Sequence, residues 1–332
     1  MNKLSLRTLL LIATGILLFG GIFFVGFRTI GFFQRVEKQF GLTPSSMFQL
    51  VTDGETMVAS TDGRVNILLL GVGGGNHDGS DLTDTIIVVS FHLTDKTVSL
   101  ISIPRDIWSD TLQDKINSAY HYGGLTLSSS VVETIVGIPI HYTAVVDFAQ
   151  FKTMIDFIGG IDVNVTTAFT DEEYPIAGKE NDECNGDWTY ACRYQTIAFE
   201  KGIEHMDGDR ALMYVRSRHA EGDEGSDFAR GKRQQDVVIA VKTKILSLEP
   251  WYHPEMSSTL FQTLDKATIT NFTVGQLLAL GKLSMGISTE HIKKISIEPY
   301  LEAAPTWKYD RYILEPKENL EEIHAFIKTA LQ

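Results

Sequence analysis

Cysteine is nearly missing from this chain: the two present, Cys184 and Cys192, bracket the polar loop CNGDWTYAC, and no histidine stands at zinc-ligand spacing from either. A zinc module is thereby excluded, which leaves a disulfide in an oxidising compartment or two free thiols in a reducing one. Positive charge is scarce as well, with 29 Lys and Arg against 42 Asp and Glu and a net charge of -13 at pH 7. Nucleic acid is held by cations that neutralise its phosphates, so general affinity for it is excluded. Internal repeats and low-complexity tracts are absent, and 43% hydrophobic with 21% charged residues is a globular composition that excludes a fibrous or disordered chain. Any anion site in so acidic a protein has to be a local cluster of arginines.

What the sequence does have is a charge-free apolar run at 8–27, TLLLIATGILLFGGIFFVGF, whose length matches a helix crossing a hydrocarbon layer of about 30 Å. Lys3 and Arg7 precede it and Arg28, Arg35 and Lys38 follow, so flanking charge orients it weakly, and the large acidic remainder decides for export. A cleaved signal peptide is the rival, but the run exceeds a typical signal core and no small-x-small site follows at Phe27, Arg28 and Thr29. The expected organisation is a cytoplasmic tail at 1–7, a transmembrane helix at 8–27, a stalk at 28–61 and one extracytoplasmic domain at 62–332. With that orientation Cys184 and Cys192 are expected to be bonded.

Three strand-like runs follow the stalk, at 66–71, 85–92 and 97–103, and their unbroken β-branched and leucine character predicts strands covered on both faces by helices. Apolar residues at helical spacing predict helices at 125–135 and 148–158, with a strand at 142–148 between them; Gly159 and Gly160 stop the second helix before a strand at 161–165. Residues 166–202 read as an irregular surface insertion. A helix over 211–215, a long helix over 226–246 started by Ser226 and Asp227, helices at 273–285 and 319–331 and a strand at 294–297 complete the chain. The alternation predicts an α/β fold, a three-layer α-β-α sandwich with a mixed central sheet.

Chemistry gathers at a few points. Asp84 stands between the glycine-rich loop GVGGGNHDGSDLT and a buried strand, a place where a carboxylate either caps the strand or offers a hard oxygen to magnesium. Arg105 and Asp106 follow Pro104 at a strand end, the edge at which open α/β sheets hold ligands; Lys115, Asn117 and Tyr120 in KINSAYHYGG are further candidates. Arg216 and Arg218 leave the end of a helix, where they equally favour its dipole. On the long helix Asp227, Arg230 and Gln234 recur at spacings of three and four and share a face, with Arg233 close by. Planar guanidinium groups that stay charged suit phosphate oxygens, and an arginine stripe near a helix start can cradle them.

The segments NILLLG with TDT, SLISIPRD, KINSAY, DFAQFKTMIDFIGGIDVNV, MDGDRALMYVRSR and SDFARGKRQQ, spread from about 66 to 246, resemble the LytR-CpsA-Psr family of cell-envelope proteins. The resemblance implies a phosphotransferase that moves a phosphorylated glycopolymer from a polyprenyl-pyrophosphate carrier onto a peptidoglycan-type acceptor, with the lipid tail in an apolar tunnel between sheet and helices. It implies magnesium on Asp84, pyrophosphate on Arg105, and a phosphate pocket of Arg216, Arg218, Arg230 and Gln234, to which the helix spacing adds Arg233. Asp106 is expected to orient Arg105 or accept a proton. The chain departs from the family pattern at Gly73, where a second aspartate is usual, and Asp81, or His77 or Asp78, stands in the same loop to replace it. The loop from Cys184 to Cys192 lies outside the pattern. A hydrolase using water as nucleophile and a non-catalytic lipid-carrier scaffold remain alternatives. The location implied is the cell membrane, single-pass, with the folded domain outside.

Overall fold

The computed structural model describes residues 37, 43–75, 79–247, 268–285 and 287–332. They group into two compact units. The smaller takes in residues up to 58 together with 273–283: helix α1 (Pro44–Thr52), started by the Thr43 side chain accepting from the Ser46 N–H, and most of helix α6 (Val274–Ser284), whose Lys282 donates to the Leu50 carbonyl at 2.9 Å.

The larger unit is built on a six-stranded sheet. Strands β1 (Arg64–Val72), β2 (Thr83–His92) and β3 (Thr97–Ser102) form an antiparallel meander. After the short pair β4 (Trp108–Ser109) and β5 (Asp114–Lys115), helix α2 (Ala119–Val136) carries the chain back to lay β6 (Tyr142–Asp147) parallel to β1. A later strand, β11 (Thr268–Thr270), pairs antiparallel with β6 and β12 (Ile292–Ser296) pairs parallel with β3, giving the order β11-β6-β1-β2-β3-β12. The sheet is therefore mixed, as expected.

Residues alternate across a strand, so the continuous apolar runs load both faces. One face, with Leu68, Leu70, Ile86, Val88 and Ile101, buries against Val131, Val132 and Ile135 of α2 and against Ile323 and Ile327 of α7 (Leu320–Ala330). The other face meets the long helix α5 (Asp227–Ser247), whose Gln235 donates to the carbonyls of Leu100 and Ile295 at 2.9 and 3.2 Å. On the sheet Ile67, Leu69 and Val89 stay half-buried.

A second core joins α3 (Phe148–Phe157), β7 (Ile161–Val165), β8 (Phe169–Pro175), β9 (Tyr194–Phe199), β10 (Gly202–Met206) and α4 (Gly208–Arg216). Here the expectation of an irregular insertion at 166–202 is corrected: β8 and β9 pair antiparallel, with the rings of Phe169 and Phe199 stacked at 5.0 Å. The acidic outward positions of TDEEYP and a break in register between Asp171 and Tyr174 hide the strand pattern. Helix α2 also begins earlier than expected, at Ala119, and runs through Gly123 and Gly124, where the backbone leaves helical geometry and only glycine takes the φ of +58° at Gly124 without strain. Cys184 and Cys192 are joined in a disulfide, their Cα atoms 5.5 Å apart. Among the described residues no helix is long and apolar enough to cross a membrane; the run at 8–27 lies outside them. The last two strands, β13 (Leu301–Ala303) and β14 (Leu314–Pro316), form a hairpin closed by the loop 304–313.

Candidate functional site

Pairing of β3 ends at Ser102, and Pro104, which lacks an N–H, turns the chain so that Arg105 leaves the sheet edge on rigid support. Arg105 donates to the carboxylate of Asp84 near the start of β2. Its Nε lies 3.4 Å from Asp106 and, among the described residues, is buried without a hydrogen-bond acceptor. Asp106 is itself buried and accepts from Lys115 Nζ at 2.5 Å, so it braces Arg105 from the protein side.

Helix α5 brings the second arginine. The Ser226 hydroxyl accepts the Ala229 N–H at 3.1 Å and caps the helix, which places Asp227 and Arg230 in the first turn, joined at 2.9 Å. Gly231 lets the helix lie against β3, because a Cβ there would collide with the Ser102 hydroxyl. Between them is a small open cavity lined by Asp84, Arg105, Asp227, Arg230 and Gln234, with Ser102 and Ser296 also on its wall. Arg218 stands at the margin, 3.9 Å from Asp227.

Two guanidinium groups thus face a common space while mostly removed from water, their side chains 18% and 7% exposed at Arg105 and Arg230. Burial, with repulsion from Arg218 and Arg105, lowers Arg230 to about 10 against the pull of Asp227 and Asp84. Burial also acts against charge on Arg105, but Asp84, Asp106 and Asp227 outweigh it and the group is held above its ordinary value. A desolvated cation pair matched by carboxylates is a site that a dianion can enter by exchanging partners.

The other expected arginines sit elsewhere. Arg233, one turn along α5 from Arg230, donates to the carbonyls of Tyr214, Ser217 and Glu224 and to the Glu224 carboxylate at 2.7–3.0 Å, and lies over the Phe169 ring. It lines no part of the cavity, although the helix spacing sets it among the expected pyrophosphate ligands. Arg216 is exposed and stacks on Phe148 at 4.6 Å, also off the cavity lining. Asp81 pairs with His121 at 2.8 Å, an interaction that lowers its pKa, and is likewise away from the lining.

Hard oxygen donors at the cavity are Asp84 and Asp227. Magnesium is commonly held by one or two carboxylates with the remainder of its ligands from water and phosphate, so Asp84 fits the ion while Asp81, tied to His121, does not share its space. Among the described residues the three-donor cluster that does occur is Asp182 with Cys184 and Cys192, whose sulfurs are bonded to each other and do not bind metal.

Two residues that sequence reasoning left out shape this region. Asp171 is fully buried and accepts from Ser217 Oγ at 2.7 Å and from the N–H groups of Arg218 and His219 at 3.0 and 3.2 Å, fixing the segment that presents Arg218. Nothing in the sequence signalled it, because it lies in the stretch read as irregular. Asp227 was seen on the arginine face but not given a role; its spacing of three from Arg230 was the available signal.

The family profile described as LytR_cpsA_psr matches residues 37–324. A Bacillus cereus protein called polyisoprenyl-teichoic acid–peptidoglycan teichoic acid transferase TagU is 33% identical over 195 residues, 57% of this chain and 55% of the relative, so the chain spans little more than half its length. The crystal structure of Bacillus subtilis TagV is 28% identical with a TM-score of 0.61, covering 82% of this chain and 98% of that one. A LytR-CPS2A-psr family protein, YwtF (TagT), solved with bound octaprenyl pyrophosphate lipid, shares the fold at 22% identity and a TM-score of 0.55, over 81% of this chain and 91% of that one.

Proposed function

The chain belongs to the LytR-CpsA-Psr family, and on that premise we propose that it is a phosphotransferase moving a phosphorylated glycopolymer from a polyprenyl-pyrophosphate carrier onto a peptidoglycan-type acceptor. The observation that carries the reading is the pair Arg105 and Arg230, both desolvated, both held by carboxylates, and both lining the same open cavity. The relative called a teichoic acid transferase and the fold relative holding octaprenyl pyrophosphate name the same chemistry.

In this reading the diphosphate displaces Asp84 and Asp227 from the two arginines, and Gln234 and Arg218 complete its contacts. A hydroxyl oxygen of the acceptor bonds to the phosphorus that carries the glycan, the bond from that phosphorus to the bridging oxygen breaks, and polyprenyl phosphate leaves with the bond's electrons; the hydroxyl proton passes to the solvent at the open mouth. The protein's contribution is alignment and neutralisation of charge on the phosphate oxygens, which is most of what phosphoryl transfer asks. Magnesium, held by Asp84, would add positive charge to the same oxygens. Asp106 and Lys115 keep Arg105 aimed and do not touch substrate. Arg233 and Arg216 serve the fold. The half-buried Ile67, Leu69 and Val89 of the sheet offer an apolar path for the prenyl tail. The run at 8–27 anchors the chain in the membrane with the folded part outside, where the disulfide persists.

The test is full-length protein with a synthetic polyprenyl-pyrophosphate glycan and peptidoglycan fragments. Acceptor-dependent product with release of polyprenyl phosphate is expected. Phosphate release at a rate indifferent to the acceptor would make the protein a hydrolase instead.

A further inference from the structure

The loop 304–313 hangs beside the arginine cavity and exposes rings where a folded surface normally covers them. Trp307 is 84% and Tyr312 53% exposed, and Tyr122 across from them is 59% exposed. The loop is fastened to the site itself: the Leu314 N–H donates to the Asp106 carbonyl at 2.9 Å, and Leu314 bridges to Ile107 in parallel register. Two residues along the chain from Leu314, burial and then the carboxylates of Asp227 and Asp106 raise the Tyr312 hydroxyl above its ordinary value. Asp114 ties the opposite side in, accepting from Arg311 at 2.9 Å and from the Tyr122 hydroxyl at 3.2 Å. Further out, Tyr309 packs against Trp108 with ring centroids 4.4 Å apart and the planes tilted by 41°, and Trp108 borders a groove of about 160 Å³ lined also by Asp110, Thr111 and Glu315.

We infer that this strip, with Tyr312 and Tyr122 at its inner end and Trp307 on the same loop, binds the neutral saccharide chain that supplies the acceptor hydroxyl. The inference rests on the phosphotransfer reading, which requires a hydroxyl at the mouth of the cavity. Three features select a neutral glycan over the anionic donor polymer. The loop's cations are both neutralised, Arg311 by Asp114 and Lys308 by Glu315, so neither is offered to phosphate. With those pairs balanced, the Asp110 carboxylate, which accepts from Trp108 Nε1 at 2.9 Å, leaves negative charge on the strip that repels an anionic polymer and can accept hydrogen bonds from sugar hydroxyls. The exposed ring faces suit the apolar C–H face of a pyranose, and the amphipathic character of Tyr and Trp serves a ligand that is apolar on its faces and polar at its edges.

Full-length protein in detergent, titrated calorimetrically with a β-1,4-linked N-acetylglucosamine tetramer, decides the matter, with inorganic pyrophosphate titrated into the same wild-type sample as an independent check of the arginine site. Wild type is expected to bind both. Tyr312→Ala and Tyr122→Ala are expected to weaken the tetramer about tenfold each, Trp307→Ala several-fold, while Tyr312→Phe retains affinity because the ring is kept. Unchanged tetramer affinity in a Tyr122→Ala, Tyr312→Ala double variant that melts like wild type overturns the saccharide strip. So does wild type that takes pyrophosphate but not the tetramer, and the arginine site then stands alone. Loss of vesicle binding in the ring variants with no tetramer binding in wild type would assign the rings to a membrane surface and also overturn it. Wild type that takes neither ligand defeats the phosphotransfer reading, and the strip falls with it.

Discussion

Arg230 and Arg233 lie one turn apart on α5, are almost equally buried, and have opposite employments. Arg230 meets one carboxylate, Asp227, and the cavity; Arg233 meets three main-chain carbonyls, Glu224 and an aromatic ring. Burial is therefore no guide to which cation serves a ligand. The partner is the guide: a carboxylate can be exchanged for a phosphate and remain satisfied by water or metal, whereas buried carbonyls that lose their donor have nothing to replace it. The same contrast separates Arg105, on Asp84, from Arg216, stacked on Phe148.

If the contrast is real, activity and stability divide cleanly between the two groups. Arg105→Ala and Arg230→Ala should each slow transfer by about 10²–10³-fold, the scale of removing one preorganised donor from a developing charge, with the melting temperature nearly kept. Activity near the wild-type level in either variant would erase the distinction. Arg233→Ala should destabilise by about 3 kcal/mol through the orphaned carbonyls and the uncompensated Glu224, read as a shift in denaturant midpoint; an unchanged midpoint would show that Arg233 is not scaffold. Gly231→Ala, which presses a methyl group into Ser102 between the two arginines, should cost about 1–3 kcal/mol of stability and also widen the gap between α5 and β3, so that pyrophosphate binds less tightly. Arg216→Ala should do least, about 0.5–1 kcal/mol for a cation over a ring at an exposed position, with transfer unaffected; a loss of activity matching that of Arg230→Ala would return it to the site.

Much of this architecture is legible in the sequence. The unbroken β-branched and leucine runs in β1 to β3 point to strands covered on both sides, and Ser226 with Asp227 marks the start of α5 to within a residue. Arg105 after Pro104 reads as a site residue because a buried run changes to charge in one step. What does not read is anything decided by a partner far along the chain. Helical spacing sets Arg230 and Arg233 on neighbouring parts of one face and says nothing of the Tyr214 and Ser217 carbonyls that claim the second. Asp81 reads as a metal ligand until His121, 40 residues on, is seen to hold it. Asp171 and the β8–β9 hairpin are obscured by acidic outward positions and a register break, so a buried carboxylate there looks like one more surface charge.

The exchange of carboxylate for phosphate on Arg105 and Arg230 is tested most directly by the thermal stabilisation that inorganic pyrophosphate gives the full-length protein, since a ligand bound only by the folded state raises its melting temperature. Wild type and Arg216→Ala are predicted to melt higher with pyrophosphate, and Arg105→Ala and Arg230→Ala to melt at the same temperature with or without it. An equal upward shift in Arg230→Ala would contradict the account.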